Sequence, residues 1–171
     1  SWLHLLKTDE ALASYDTSLK VWPPLGTEED RQALLDAVRS GVVDAIVSDH
    51  TPYTLEEKDV EFDQAPWGAA GIEHVLPALW SELVEPGILT PEVLVERLTS
   101  GPARAFGLDF GGIRAGQPAD LAVLATNEPW AVTEDRTASL GSNHPYVGAS
   151  LQARVRATVV AGQVRYASEE A

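Results

Sequence analysis

Asp49, His50 and Tyr53 stand together in the stretch "VVDAIVSDHTPYT", residues 42–54. A carboxylate beside an imidazole is suited to moving a proton, because either group can accept one from water or an amide and return it. The apolar run before them reads as a short buried strand, so Asp49 falls at that strand's C-terminal tip. That is the face on which barrel and open α/β enzymes place their chemistry. The same acid also serves as an ordinary cap for the turn that follows, and these residues alone leave both readings open. His50 has no H-x-H or i, i+4 partner among His4, His74 and His144, so spacing indicates no metal cluster. "APWGAAG" (65–71) is glycine-spaced but lacks a phosphate-loop lysine, and its plainer reading is a flexible lead into a helix. There is no G-x-S-x-G elbow, P-loop or G-x-G-x-x-G after a strand. Trp22, ahead of Pro23 and Pro24, is an apolar anchor as readily as a substrate contact.

The elements that must position these residues are legible from caps and periodicity. "SLKVW" (18–22) reads as a strand stopped by two prolines. Thr27 followed by Glu28, Glu29 and Asp30 predicts a helix to about Ser40, burying Leu34, Leu35 and Val38 and ended by Gly41. The strand at 42–47 comes directly after it. Strand, helix, strand with short links is the βαβ pattern of a parallel sheet. Residues 48–68 form a polar loop long enough to suggest function or disorder. A helix is predicted at about 71–84 with Ile72, Val75, Leu76, Leu79, Leu83 and Val84 inward, another from Thr90-Pro91 to about Leu98, and a short one over 101–107. Beyond that, 111–125 is a glycine-rich turn feeding a strand, and 151–167 is a hairpin around Ala161-Gly162. Residues 1–108 therefore read as α/β and 109–171 as mostly β.

With 171 residues the chain can bury a real core, and it carries a net charge of −14, which repels nucleic acid and anionic membrane surfaces. It has no cysteine, which excludes disulfides and thiolate metal sites and makes a cytoplasmic location the plain expectation. No apolar run is long enough to span a bilayer.

Taken together, the motifs resemble the C-terminal part of a dihydroorotase, the bacterial type among the cyclic amidohydrolases. "HLLKTDEALASYDTSLKVWPPLGTEEDRQALLDAV" (4–38) is similar to that family's H-L-L-L-T-D-E…K-V-N-P-P-L-R-x-x-x-D-R-x-A-L. "DAIVSDHTPYTLEEKDVEFDQAPWGAAGIE" (44–73) resembles its D-A-I-A-T-D-H-A-P-H-x-x-x-E-K…F-x-x-A-P-F-G-x-x-G-L-E. "LTSGPARAFGL" (98–108), "GGIRAGQPADLAVL" (111–124) and "SNHPYVGASLQARVRATVVAGQVRY" (142–166) resemble its remaining motifs. The resemblance implies the end of a TIM-type (β/α)8 barrel over 1–108, holding the last two strands and helices, then a small β-sandwich segment with a closing hairpin over 109–171. It implies interconversion of N-carbamoyl-L-aspartate and dihydroorotate by a zinc-activated hydroxide. Asp49 matches the family's base and metal-ligating aspartate, while Trp22, Tyr53, Pro66 and Gly68 fall on substrate-contact positions.

Three positions depart from that pattern. Trp22 replaces an asparagine that hydrogen-bonds the ring, Tyr53 replaces a histidine, and Gly26 stands where an arginine is usual. An indole donates one hydrogen bond and accepts none, so two-sided recognition is lost. The family's other zinc ligands lie upstream of the matched region, so zinc is not supported by this chain alone and the chain alone is expected to be inactive. The alternatives are a non-catalytic subunit scaffolding aspartate carbamoyltransferase, or a cyclic amidohydrolase of other specificity. Two barrel strands would leave open edges, which predicts self-association, a missing N-terminal segment or a rearranged sheet.

Overall fold

The computed structural model describes residues 1–109 and 112–168, apart from the side chain of Arg136. It contains helices α1 (Leu3–Leu6), α2 (Glu28–Ser40), α3 (Leu55–Lys58), α4 (Val75–Leu79), α5 (Pro91–Leu98) and α6 (Ser100–Ala105). The strands are β1 (Leu121–Ala125), β2 (Trp130–Ala131), β3 (Ser150–Leu151), β4 (Arg154–Val160) and β5 (Gln163–Ala167). The molecule is thus mixed helix and strand, with its strands after residue 120.

Local chemistry explains the helices that sequence anticipates. Thr27 accepts the Asp30 amide while the Asp30 carboxylate accepts the Thr27 amide at 2.9 Å, a reciprocal cap that starts α2. Gly41 ends it in the left-handed region at φ 83°. Thr90 caps α5 with Pro91 just inside. The hairpin β4–β5 turns at Ala161 and Gly162, both at positive φ (50° and 76°), which matches the twist of the flanking strands. β1 pairs antiparallel with β4 to complete the order β1-β4-β5, and β2 pairs with β3 separately.

The core gathers Trp2 and Leu3 from the start of the chain, Leu35 and Val38 from α2, Leu79 and Leu83, and Leu94 from α5. Val132, Tyr146 and Leu151 close the same cluster from the strand-rich part. Each such side chain contributes roughly 1.5–3 kcal/mol by leaving water.

Several expectations are corrected. No strand forms over 18–22, where residues 17–19 make a 3₁₀ turn instead. None forms over 42–47 either, so the βαβ ladder is absent among the described residues. The physical reason lies in the backbone partners: Val43 N donates to Ala37 O, Ile46 N to Arg97 O, and Val47 O accepts from Trp2 N. These bonds run to helix ends rather than to a neighbouring strand. Ile46 is the buried residue of that run, whereas Val42 is 77% exposed. Leu34 and Ile72, expected inside, are exposed. The helix expected over 71–84 is α4 followed by a π turn over Trp80–Val84, with Ser81 Oγ accepting Gln152 N at 2.7 Å where the helix meets the segment after β3.

His74 packs in this interior against the ring of His144 at 5.2 Å. Burial chiefly, and the neighbouring His144, hold it below the usual 6.5, against the pull of Glu73. The folded state therefore keeps His74 neutral while an unfolded chain protonates it. The stability this contributes is complete above about pH 6.5 and is lost as pH falls below it. Thermal melts are expected to show a falling Tm from pH 7 to pH 5, and the fall should shrink in His74→Phe.

Candidate functional site

Asp49 ends the 42–49 segment in the left-handed region, φ 47°, with its side chain exposed. Asp tolerates this conformation better than most residues, and the turn it makes redirects the chain into 50–53. That turn is fastened on one side to the 65–71 loop. His50 forms a parallel bridge with Ala69, and Thr51 N donates to Ala69 O at 2.9 Å. His50 Nδ1 accepts the amides of Gly71 (3.2 Å) and Ile72 (3.4 Å), so this ring nitrogen is spent on positioning.

Asn143 fastens the same turn on the other side. Its Nδ2 donates to Thr51 O (2.9 Å) and Gly68 O (3.0 Å), and its Oδ1 accepts Tyr53 N at 2.8 Å. Buried at 1% exposure, it satisfies three backbone groups from two loops at once. Gly68 itself cannot carry a side chain here: at φ +137° an added Cβ would sit 2.6 Å from Thr51 Cβ.

Two buried lysines hold the loop from beneath. Lys58, at the end of α3, donates to Thr17 O (2.9 Å), Pro66 O (2.7 Å) and Gly68 O (2.8 Å). Lys20 donates to Asp63 O at 2.9 Å and lies 4.8 Å from the centre of the Trp67 ring. Burial, and secondarily the Lys20 charge, push the Lys58 ammonium down to about 8, with Asp16 acting in the opposite direction. Its charge also faces the Tyr53 ring, 5.4 Å from the centroid.

Of the residues singled out from sequence, Trp22, Tyr53, Pro66 and Gly68 are therefore linked through one set of contacts. Trp22 meets Trp67 edge to face at 5.3 Å and is 68% exposed. Asp49 joins them through the backbone of its own turn. Lys20, Lys58 and Asn143 escaped sequence reasoning. Lys58 had one visible signal, as the only cation in the acid-rich stretch 48–68.

A cleft of about 480 Å³ lies elsewhere, between α4 and the β4–β5 hairpin, and none of the five expected site residues lines it. Its Glu73 carboxylate already accepts the amides of Ala138 and Ser139, at 2.9 and 2.8 Å, and is engaged in holding that backbone. The Asp49 group is the better candidate because its acid is exposed and its loops are fixed. Zinc needs three or four ligands. Among the described residues no group of three or more histidines, aspartates or glutamates could hold a metal ion, so Asp49 belongs to no such group there. The residues present do not by themselves fit a zinc centre.

Residues 6–165 match the amidohydrolase family model, and the chain belongs to that family. Its sequence is 41% identical over 163 residues to a dihydroorotase from Caldanaerobacter subterraneus and 42% identical over 161 residues to one from Pelotomaculum thermopropionicum. Those matches take in 95% and 94% of this chain but 38% of each relative, so the chain spans well under half the length of the relatives it matches. Among solved structures, an L-hydantoinase from Arthrobacter aurescens superposes with a TM-score of 0.88 at 28% identity, over 96% of this chain and 38% of that one.

Proposed function

We propose that this chain is the C-terminal part of a dihydroorotase-like cyclic amidohydrolase that interconverts N-carbamoyl-L-aspartate and dihydroorotate in pyrimidine synthesis. Residues 1–108 supply the last two strand-and-helix units of a (β/α)8 barrel, and 109–171 a β-sandwich segment. In this reading 42–49 gains its ladder from barrel strands outside the chain. The observation that carries the reading is Asp49: an exposed acid on a left-handed turn that Ala69, Gly71 and Asn143 hold in place. As water attacks the ring carbonyl, Asp49 accepts the proton the water loses. It returns that proton to the amide nitrogen as the C–N bond breaks. Trp22, Tyr53, Pro66 and Gly68 shape the pocket. Gly68 acts by shape, because its amide is bonded to Lys20 O and its carbonyl to Lys58 and Asn143. The zinc of this family takes its remaining ligands from elsewhere in the intact protein.

One observation favours a second reading. Trp22 and Tyr53 replace two polar recognition groups and are instead engaged with Trp67 and Lys58. A site that loses polar partners loses orders of magnitude in turnover. The second reading is a dihydroorotase-like subunit that scaffolds aspartate carbamoyltransferase and opens no ring.

The test is zinc content and dihydroorotate hydrolysis of the intact protein isolated from its own cells. More than half an equivalent of zinc with measurable turnover supports the enzyme. Co-elution with aspartate carbamoyltransferase, without zinc or turnover, replaces it with the scaffold. For the enzyme, Trp22→Asn combined with Tyr53→His is expected to raise dihydroorotase turnover by about tenfold or more. No gain removes these two positions as the specificity determinants.

A further inference from the structure

Lys58 is an unusual component for the floor of a loop. Its ammonium has three N–H donors and no acceptor. Each of the three has a carbonyl, from Thr17, Pro66 and Gly68. The residue is 5% exposed, and among the described residues no carboxylate forms an ion pair with it. Burying a cation without a counter-ion is costly, and here the three carbonyls are what offset that cost. Two of its three acceptors belong to one short stretch, Pro66 to Gly68. That stretch carries Trp67 against Trp22 and faces the turn after Asp49. The arrangement spends stability on fixing a particular piece of backbone.

We propose that Lys58 is a positioning residue of the site, its charged ammonium pinning the 65–69 loop in the arrangement that meets a cyclic amide. This rests on the reading that Pro66 and Gly68 line the substrate pocket. The protonated form is the one that works, because a neutral amine has two N–H groups for three carbonyls. The charged groups acting on it are Lys20 and Asp16, and the Tyr53 phenol ring also faces it. Lys20 favours release of the proton and Asp16 opposes it. The loop therefore loosens on the alkaline side of neutrality.

Hydrogen exchange on the intact protein, wild type against Lys58→Met at pH 7, tests this. Amides of 65–71 are expected to exchange about tenfold faster or more, with α2 and α5 unchanged, because one unmet carbonyl is enough to open the loop locally. In turnover assays the variant should raise KM for the cyclic amide about tenfold while kcat stays within about threefold. Unchanged exchange at 65–71, or equal acceleration through α2 and α5, overturns the proposal. A Lys58→Met chain that fails to fold does not remove the test, because the wild type carries it. Raising the pH from 7 to 9.5 should loosen 65–71 beyond the intrinsic base-catalysed rate while α2 and α5 keep pace with that rate. Absence of that selectivity overturns it equally. Exchange needs no substrate, so a wild type without turnover sinks the hydrolase reading while the loop result still decides the role of Lys58.

Discussion

Under the proposed ring opening, Asp49→Asn in the intact protein is expected to lower turnover by about 10³-fold, within the range lost when a positioned general base is removed. Asparagine is the appropriate replacement here because it keeps the shape of the side chain and adopts the left-handed backbone at least as readily as aspartate. The turn at φ 47° therefore survives, and the bonds from Thr51, Tyr53 and Gly71 that hold its surroundings are made by other atoms. Steady-state kinetics alongside a thermal melt separate the two contributions. Turnover should collapse while Tm stays within a degree or two. Turnover within threefold of wild type would remove Asp49 as the proton carrier and leave it as the cap of its turn.

Gly68→Ala is expected to cost about 2–4 kcal/mol, from two independent causes that fall on the same atom. The backbone is at φ +137°, where an L side chain is strained, and the new methyl would stand 2.6 Å from both Cβ and Cγ2 of Thr51. Thr51 cannot retreat easily, because its amide is bonded to Ala69 O and its carbonyl to Asn143 Nδ2. Urea unfolding of the intact protein measures the cost as a shift in midpoint at constant m-value. A shift below about 0.5 kcal/mol would mean that the loop and the turn are not held together as described.

What was legible in the sequence was what local chemistry decides. The reciprocal cap at Thr27 and Asp30, the Thr90-Pro91 start of α5 and the Ala161-Gly162 turn are each set by residues within a few positions, and all are where the chain signals them. The strands over 18–22 and 42–47 were not legible, because a strand exists only with a partner and apolar β-branched residues do not say whether one is supplied. Val42 and Val47 are exposed for that reason. The candidate site divides the same way. Asp49, Trp22, Tyr53, Pro66 and Gly68 were found through motifs, with Trp67 carried along in the same loop. Lys20, Lys58 and Asn143 were not, because their work is to satisfy carbonyls and amides distant in sequence. A lysine among acids looks like solvated surface until the loop is seen folded over it.

The bonds of Asn143 also set an order of events on the ribosome. The turn at 50–53 and the loop at 65–71 leave the exit tunnel before the side chain that joins them, which lies some 75 to 92 residues further along. At roughly 5–20 residues per second these two loops spend several seconds outside without their common tie. Nascent chains arrested before that point would hold the two loops by Lys58 and the Thr51–Ala69 and His50–Gly71 bonds. The tie between the two loops is thus made from the C-terminal direction, and a chain ending before Asn143 would carry both loops without it.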